Sequence, residues 1–252
     1  MSGGRARGRF SVALAVGLAV TACAGSSQGQ NPSGQSGTNG SGGNNGASSS
    51  LVAGLSSNLD SLTSYQFTES MAGSSTGSQA TPSAATAVRI SGIVVNSPTR
   101  SLSMNASGAE YILVGNQAWA SNDLGVSWTA MDPTDTSLTE LLPGKNYQTW
   151  FDAYATGFKV QGDETKNGVA CVHYKGDASL GSLYGVSASA GFQADLWVAK
   201  DGNYPVSGAY DFTATSSGES GSGSFGYSFD ITNVNDGSNR VTPPTNVVAI
   251  PS

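Results

Sequence analysis

Cys171 and His173 lie two residues apart, and an alternating strand would turn both side chains to one face. A thiol beside an imidazole is the start of a nucleophilic pair or of a metal site. No further ligand or orienting group clusters near them in the sequence, so ordinary strand packing accounts for the pair. Gly73-Ser74-Ser75-Thr76-Gly77 fits G-x-S-x-G, but a nucleophile elbow needs a strand before it, a helix after it and a histidine base. Here the setting is Ser, Gly and Thr, which reads as loop. Gly221-Ser222-Gly223-Ser224-Phe225-Gly226 fits a dinucleotide fingerprint, yet a period-two aromatic segment follows where a helix is required. Asp132-Pro133-Thr134-Asp135 lacks the Gly and distal Glu of a calcium loop. Paired carboxylates for glycoside hydrolysis are set by spatial proximity and leave no sequence signature. The expectation is a protein that is not an enzyme and holds no metal or cofactor.

The residue with the clearest chemistry is Cys23. Arg5, Arg7 and Arg9 form a basic stretch, Phe10 to Val20 is an apolar run, and Val20-Thr21-Ala22-Cys23 closes it. Eleven residues at about 1.5 Å each cannot cross ~30 Å of hydrocarbon, so the run reads as the core of an export signal. A plain secretory signal with an incidental cysteine is the simpler alternative. Val20-Thr21-Ala22-Cys23, at the end of the run, resembles the lipobox of bacterial lipoproteins, which implies lipid attachment at Cys23. Residues 1–22 are therefore expected to be a lipoprotein signal peptide and 23–50 a lipidated Cys with a tether. Ala24 to Ser50 holds eight Gly and eight Ser and no charge, a composition that cannot bury enough surface to offset chain entropy. The expected place is the extracytoplasmic face of a bacterial cell membrane, anchored by lipid such as palmitate.

Composition excludes further classes. The 252 residues carry a net charge of −6 and only 11% charged residues, so no basic footprint for nucleic acid exists. Two cysteines, one of them Cys23, leave no intrachain disulfide in the exported chain.

The elements that must position any site begin at Leu51. Leu51, Leu55, Leu59 and Leu62 recur at helical spacing after Ser48-Ser49-Ser50, predicting an opening helix. Alternating segments follow at Tyr65–Met71, Val88–Val94, Leu102–Ala106 and Tyr111–Leu113, separated by Asn96-Ser97-Pro98, Ser107-Gly108 and Gly115-Asn116. Trp119 and Trp128 flank Asn122-Asp123-Leu124-Gly125, a further hairpin loop. Ser137 and Glu140 have capping-box spacing, with Pro143-Gly144 expected to end that short helix. Tyr147, Trp150, Phe151 and Tyr154 then make an aromatic helical stripe. Strands resume at Phe158–Val160, Val169–Lys175, Phe192–Val198, Tyr204–Phe212 and Phe225–Ile231. About ten strands with short links predict an α+β domain over 51–252: a curved antiparallel β-sheet, a half-barrel, covering a few helices.

Several stretches of this domain resemble the LppX/LprG-type bacterial lipoproteins with a LolA-like fold. They are Leu62-Thr63-Ser64-Tyr65-Gln66-Phe67, Ile90-Ser91-Gly92-Ile93-Val94, Ile112 to Trp119, Asn167 to Tyr174, Asp201 to Val206 and the tail Val247 to Pro251. The resemblance implies a sheet wrapped around helices, an apolar cavity for a lipid or glycolipid, and no catalytic residues. The chain departs from the pattern at Ala178 to Gly185, Gly/Ser-rich where relatives often have a Leu-rich helix.

The expected site is thus an apolar cavity lined by Phe67, Leu102, Met104, Leu113, Trp119, Trp128, Tyr147, Trp150 and Phe151. Its partners would be a lipid or glycolipid ligand and the membrane reached through the N-terminal lipid. The alternative is a structural or interaction lipoprotein with a filled core, binding a protein or cell-envelope polymer.

Overall fold

The structure is a computed structural model and describes residues 54–76, 86–134, 142–151, 157–176, 191–215 and 222–248, all within the compact unit Asn44–Ser252. Among these residues twelve strands form one sheet and two short helices accompany it. The strands are β1 (Ser64–Thr76), β2 (Thr86–Val95), β3 (Ser101–Ala106), β4 (Ala109–Val114), β5 (Gln117–Ser121) and β6 (Trp128–Met131). They continue as β7 (Phe158–Lys166), β8 (Val169–Gly176), β9 (Gly191–Ala199), β10 (Pro205–Thr215), β11 (Ser222–Thr232) and β12 (Val247–Val248). The helices are α1 (Ser56–Ser61) and α2 (Pro143–Trp150).

The order across the sheet is β12-β6-β5-β4-β3-β2-β1-β11-β10-β9-β8-β7. Two antiparallel meanders, β1–β6 and β7–β11, join where β1 pairs with β11 from Gln66↔Thr232 to Thr76↔Ser222. The expected antiparallel sheet holds for every pair except β12, which runs parallel to β6 and makes the open, curved sheet a mixed one.

Three local expectations change. Gly73 to Thr76 does not form a loop: it extends β1, with Ser74 opposite Ser224 and their hydroxyls 2.7 Å apart. The long strand partner overrides the weak strand preference of Gly and Ser. Pro143 opens a helix instead of closing one, standing directly after the N-cap Leu142, where its missing N–H costs nothing and its φ is pre-set. The capping-box residues Ser137 and Glu140, Tyr154, and Ala178 to Gly185 lie outside the described residues. α1 is shorter than the leucine spacing suggests: Leu55 caps it, Leu59 is inside it, and Leu62 leaves it in extended geometry.

Alternation divides the sheet into two faces. One lateral row runs Ala120, Tyr111, Met104, Gly92, Phe67, Ile231. The next runs Ala106, Ile90, Glu69, Phe229, Gly208, Leu196, Tyr174. Nearly all of these side chains belong to the apolar core, together with Leu55 and Leu59 around α1 and Tyr147 and Phe151 from α2. The core therefore sits between this inner face and the helices.

Two glycines let the core close. A Cβ on Gly92 would meet the Ser103 carbonyl oxygen and lie 2.8 Å from Phe67 Cε1; one on Gly208 would lie 2.5 Å from Phe229 Cε1 and 2.8 Å from Phe151 Cζ. Both sites lie directly beneath aromatic rings. Gly208→Ala and Gly92→Ala each lower the free energy of unfolding in urea by about 1–3 kcal/mol, the usual cost of overpacking a dense interior. Gly237→Ala, with nothing within 4 Å of the new Cβ, stays close to the parent.

On the opposite face one row runs Trp119, Ile112, Ser103, Ile93, Gln66, Thr232. The segment after β11 meets this outer face: Gln66 Nε2 donates to Asn239 Oδ1 at 3.1 Å, and Asn239 Nδ2 donates to Ser64 Oγ at 3.0 Å. The segment then reaches β6, where Trp128 N–H donates to the Asn246 carbonyl at 2.9 Å. β6 lies six places from β11 in the sheet, about 29 Å at the usual strand spacing, which an extended chain of this length can cover.

Candidate functional site: the inner face of the sheet

The sheet brings Phe67, Leu102, Met104 and Leu113 to the inner face, and α2 sets Tyr147 and Phe151 against them. Phe67, Met104 and Tyr147 keep 1% of their surface accessible and Phe151 none. Tyr147 stacks on Phe151 at 5.2 Å between centroids, and Phe151 meets Phe229 edge-on at 5.7 Å and Phe158 at 5.9 Å. These distances are those of favourable aromatic pairs, so this part of the interior is filled by its own side chains.

Trp119 and Trp128 stand elsewhere. Trp119 pairs with Ile112 and Trp128 follows on β6 in the same phase, so both belong to the outer face. Both are nonetheless buried at 7%, and the indole N–H of Trp128 donates to the Gly125 carbonyl at 3.1 Å. Trp150 ends α2, and its side chain lies outside the described residues, as does Cys23.

Towards the end of the sheet where β1 stops and β2 starts, the inner face is aromatic and less covered. Phe192, Phe212, Phe225 and Gly73 form one row there; Tyr210, Tyr227, Met71 and Val88 form the row beside it. Phe212 and Phe225 have centroids 5.8 Å apart, Tyr210 and Phe225 5.7 Å, and Phe192 and Tyr210 5.7 Å. Met71, Val88 and Phe212 remain partly exposed while packed against the buried core. Sequence reading placed these residues on strands without connecting them to a site. Their common signal is the period-two aromatic pattern of β9, β10 and β11.

Between the filled part and this end sits Glu69, 3% exposed. Its phase in Tyr65-x-Phe67-x-Glu69-x-Met71 commits it to the apolar side. Asn146 of α2 donates its amide to Oε2 at 2.6 Å. Burial raises the pKa of Glu69 to about 8, and the hydrogen bonds of Asn146 and Tyr227 only partly oppose this. The acid is therefore neutral at pH 7. Burial, and then the nearby Glu69, push the Tyr227 hydroxyl well above its usual range.

The Cys171–His173 pair does not form a nucleophilic couple. Cys171 is fully buried, its thiol donates to the Val169 carbonyl at 3.3 Å, and burial pushes its pKa up. His173 shares the strand phase of Cys171, but its ring is engaged elsewhere, with Nδ1 2.9 Å from Glu164 and Nε2 2.8 Å from Asp195, stacked on Trp197 at 4.5 Å. Trp197 Nε1 donates to Glu164 at 2.8 Å, and Lys166 Nζ sits 4.3 Å from the Trp197 ring centroid. With both ring nitrogens occupied by carboxylates, the imidazole has no position left for a thiol or a metal. Among the described residues no group of three or more His, Cys, Asp or Glu could hold a metal ion. No helix among the described residues is long and apolar enough to cross a membrane.

No protein-family model matches the chain, and no curated protein matches it. Solved structures do. The chain is similar to lipoprotein LppX of Mycobacterium tuberculosis, at 18% identity and TM-score 0.38, covering 77% of this chain and 98% of that one. It is similar to LprF of Mycobacterium bovis, at 13% identity and TM-score 0.42, over 78% of this chain and 96% of that one. A LolA superfamily protein from Nitrosomonas europaea aligns at 10% identity and TM-score 0.22, over 78% of this chain and 94% of that one. These include the group that the sequence motifs resemble.

Proposed function

We propose that this protein is a lipoprotein of the bacterial cell envelope, anchored through Cys23, that takes up the acyl chains of a lipid or glycolipid on the inner face of its sheet. The reading rests on one observation: Met71, Val88 and Phe212 stay partly exposed beside the aromatic rows of β9–β11, on the face that carries the core. Such a surface gains by removing alkyl groups from water. One chain of roughly fourteen methylenes offers about 10 kcal/mol of gross transfer energy before the entropy of binding is subtracted. Binding and presentation need no bond chemistry.

Native mass spectrometry of the purified protein tests this, with binding of added fatty acid or phospholipid in solution as its partner. A co-purifying lipid is expected. Phe212→Ser, at a position that is not fully buried, weakens lipid binding about 10- to 100-fold, the loss of one aromatic side chain's apolar contact. Protein that is ligand-free in every preparation and takes up no lipid would sink the reading.

A second reading has its own observation. Phe67, Met104, Tyr147 and Phe151 have almost no accessible surface and their neighbourhood is filled with rings in contact. If that filling continues to the sheet's end, the fold serves as an anchored scaffold for a protein or an envelope polymer. An apolar void of acyl-chain size separates the two readings.

A further inference from the structure

The hairpin loop between β5 and β6 presents the two most exposed large apolar side chains among the described residues, Leu124 at 71% and Val126 at 70%. Nothing about this loop is slack. Ser121 Oγ donates to Asp123 Oδ1 at 2.7 Å and accepts from Gly125 N–H at 2.9 Å. Ser127 donates its N–H to Asp123 Oδ1 at 2.9 Å and its hydroxyl to Oδ2 at 2.6 Å, and the Trp128 indole clamps the Gly125 carbonyl. These bonds hold the Asp123 carboxyl down at a pKa of about 2 and turn its charge into the loop. Leu124 itself has φ +58°, a left-handed conformation that is uncommon for a leucine and persists only where surroundings fix it. The loop's own hydrogen bonds thus fix two greasy tips in water.

Strand direction locates the loop. β1, β3, β5 and β10 end, and β2, β4, β6 and β11 begin, at one edge of the sheet. That edge carries Met71, Val88 and Phe212 on the inner face. The Leu124–Val126 loop therefore leaves the sheet towards the same end as Met71, Val88 and Phe212, from a strand whose last residue, Ser121, lies level with Ser91 of β2 and Thr68 of β1.

Chemistry selects the occupant. Between Ser107 and Trp128 the charged residues are Glu110 and Asp123 alone, so no charge pattern marks a polar partner. Two aliphatic tips offer far less than the ~800 Å² per partner of a stable protein interface, but they suit shallow entry between lipid headgroups. Only 30 residues, 24–53, separate the proposed anchor Cys23 from Gly54, where the described domain begins, so on the reading above a bilayer is the surface nearest this domain. We propose that Leu124 and Val126 are the membrane-docking tips of this protein, inserting into a lipid surface at the end of the sheet where an acyl chain would enter. The proposal rests on the anchored, lipid-binding reading above and extends it.

The test uses the acylated mature chain in phosphatidylcholine vesicles, with an environment-sensitive fluorophore attached at Asn122→Cys or, at the opposite end of the sheet, at Asn116→Cys. The buried Cys171 does not take the label. The label at 122 is expected to shift to the blue and to be quenched by lipids carrying a nitroxide on the acyl chain; the label at 116 is not. Adding Leu124→Ser and Val126→Ser lowers the inserted fraction at least tenfold without unfolding the domain, since both side chains lie in water. A Cys23→Ala chain shows the same shift at higher lipid concentration, because the anchor only raises local concentration. An unshifted label at 122, equal shifts at both sites, insensitivity to the serine pair, or a shift that follows protein rather than lipid concentration overturns the proposal, the last pointing to a second copy as the occupant. Native mass spectrometry on the same sample separates the two claims. Empty protein with an inserted loop removes the ligand reading alone, and lipid-loaded protein with the loop in water removes the docking reading alone.

Discussion

Glu69→Gln is expected to make the protein more stable at pH 9 and nearly indifferent to pH between 5 and 9. The wild-type acid has an unfolded-state value of 4.5 and a folded-state value of about 8. The folded protein therefore holds a proton that the unfolded chain releases, and stability falls as pH rises from the lower value to the upper. Below pH 4.5 the acid is neutral in both states and contributes no pH dependence; above 8 the folded state must keep a carboxylate in the core. The full difference is on the order of 3–6 kcal/mol, a large share of the 5–15 kcal/mol typical of a domain. In a domain of this size each kcal/mol moves the unfolding midpoint by about 2–4 °C, so the wild type loses some 10 °C across this range. Glutamine keeps the oxygen that accepts from Asn146 and cannot ionise. Thermal melts of both proteins at pH 5, 7 and 9 check it. Parallel curves for wild type and variant would show that Glu69 is not held neutral by burial.

Cys23→Ala is expected to transfer the protein from the membrane fraction to the soluble fraction. Each buried methylene of an attached acyl chain contributes about 0.8 kcal/mol, and two chains give stable attachment. The rest of the chain offers no polybasic patch to replace them, with 11 Lys and Arg against 17 acids and three of the arginines in the first nine residues. Fractionation in carbonate followed by detergent partitioning of wild type and variant measures the effect. A variant that stays with the membrane, or a wild type whose Cys23 carries no acyl group by mass spectrometry, would remove the anchor.

The strands were readable in the sequence because alternation is a local property. Tyr65-x-Phe67, Leu102-x-Met104 and Tyr111-x-Leu113 each declare which residues share a face, and the two-residue turns Ser107-Gly108 and Gly115-Asn116 declare the partners of β4. Glu69 was legible in the same way, lying in phase with Phe67 and Met71. Trp119 and Trp128 show how size misleads. Across the turn at Gly115-Asn116, Val114 faces Gln117, so Trp119 must face Ile112 and not Leu113. Ala118 and Ala120 take the inner positions. Phase decides the face of a strand residue; bulk does not.

What the sequence determined by itself was the set of short alternating strands joined in chain-order hairpins; the export signal, anchor and tether it leads one to expect lie outside the described residues. The tertiary structure alone decided three matters. It joined the two meanders through β1 and β11, residues more than 140 positions apart, which leaves no short-range trace. It laid α2 over Glu69 and Phe229, giving an acid a value near 8 that no neighbour in sequence could give. It also gathered the exposed Leu124 and Val126 at the end of the sheet that carries Met71, Val88 and Phe212. Each of these is a relation between distant segments, and pairing, burial and shared edges exist only once the sheet has closed around its core.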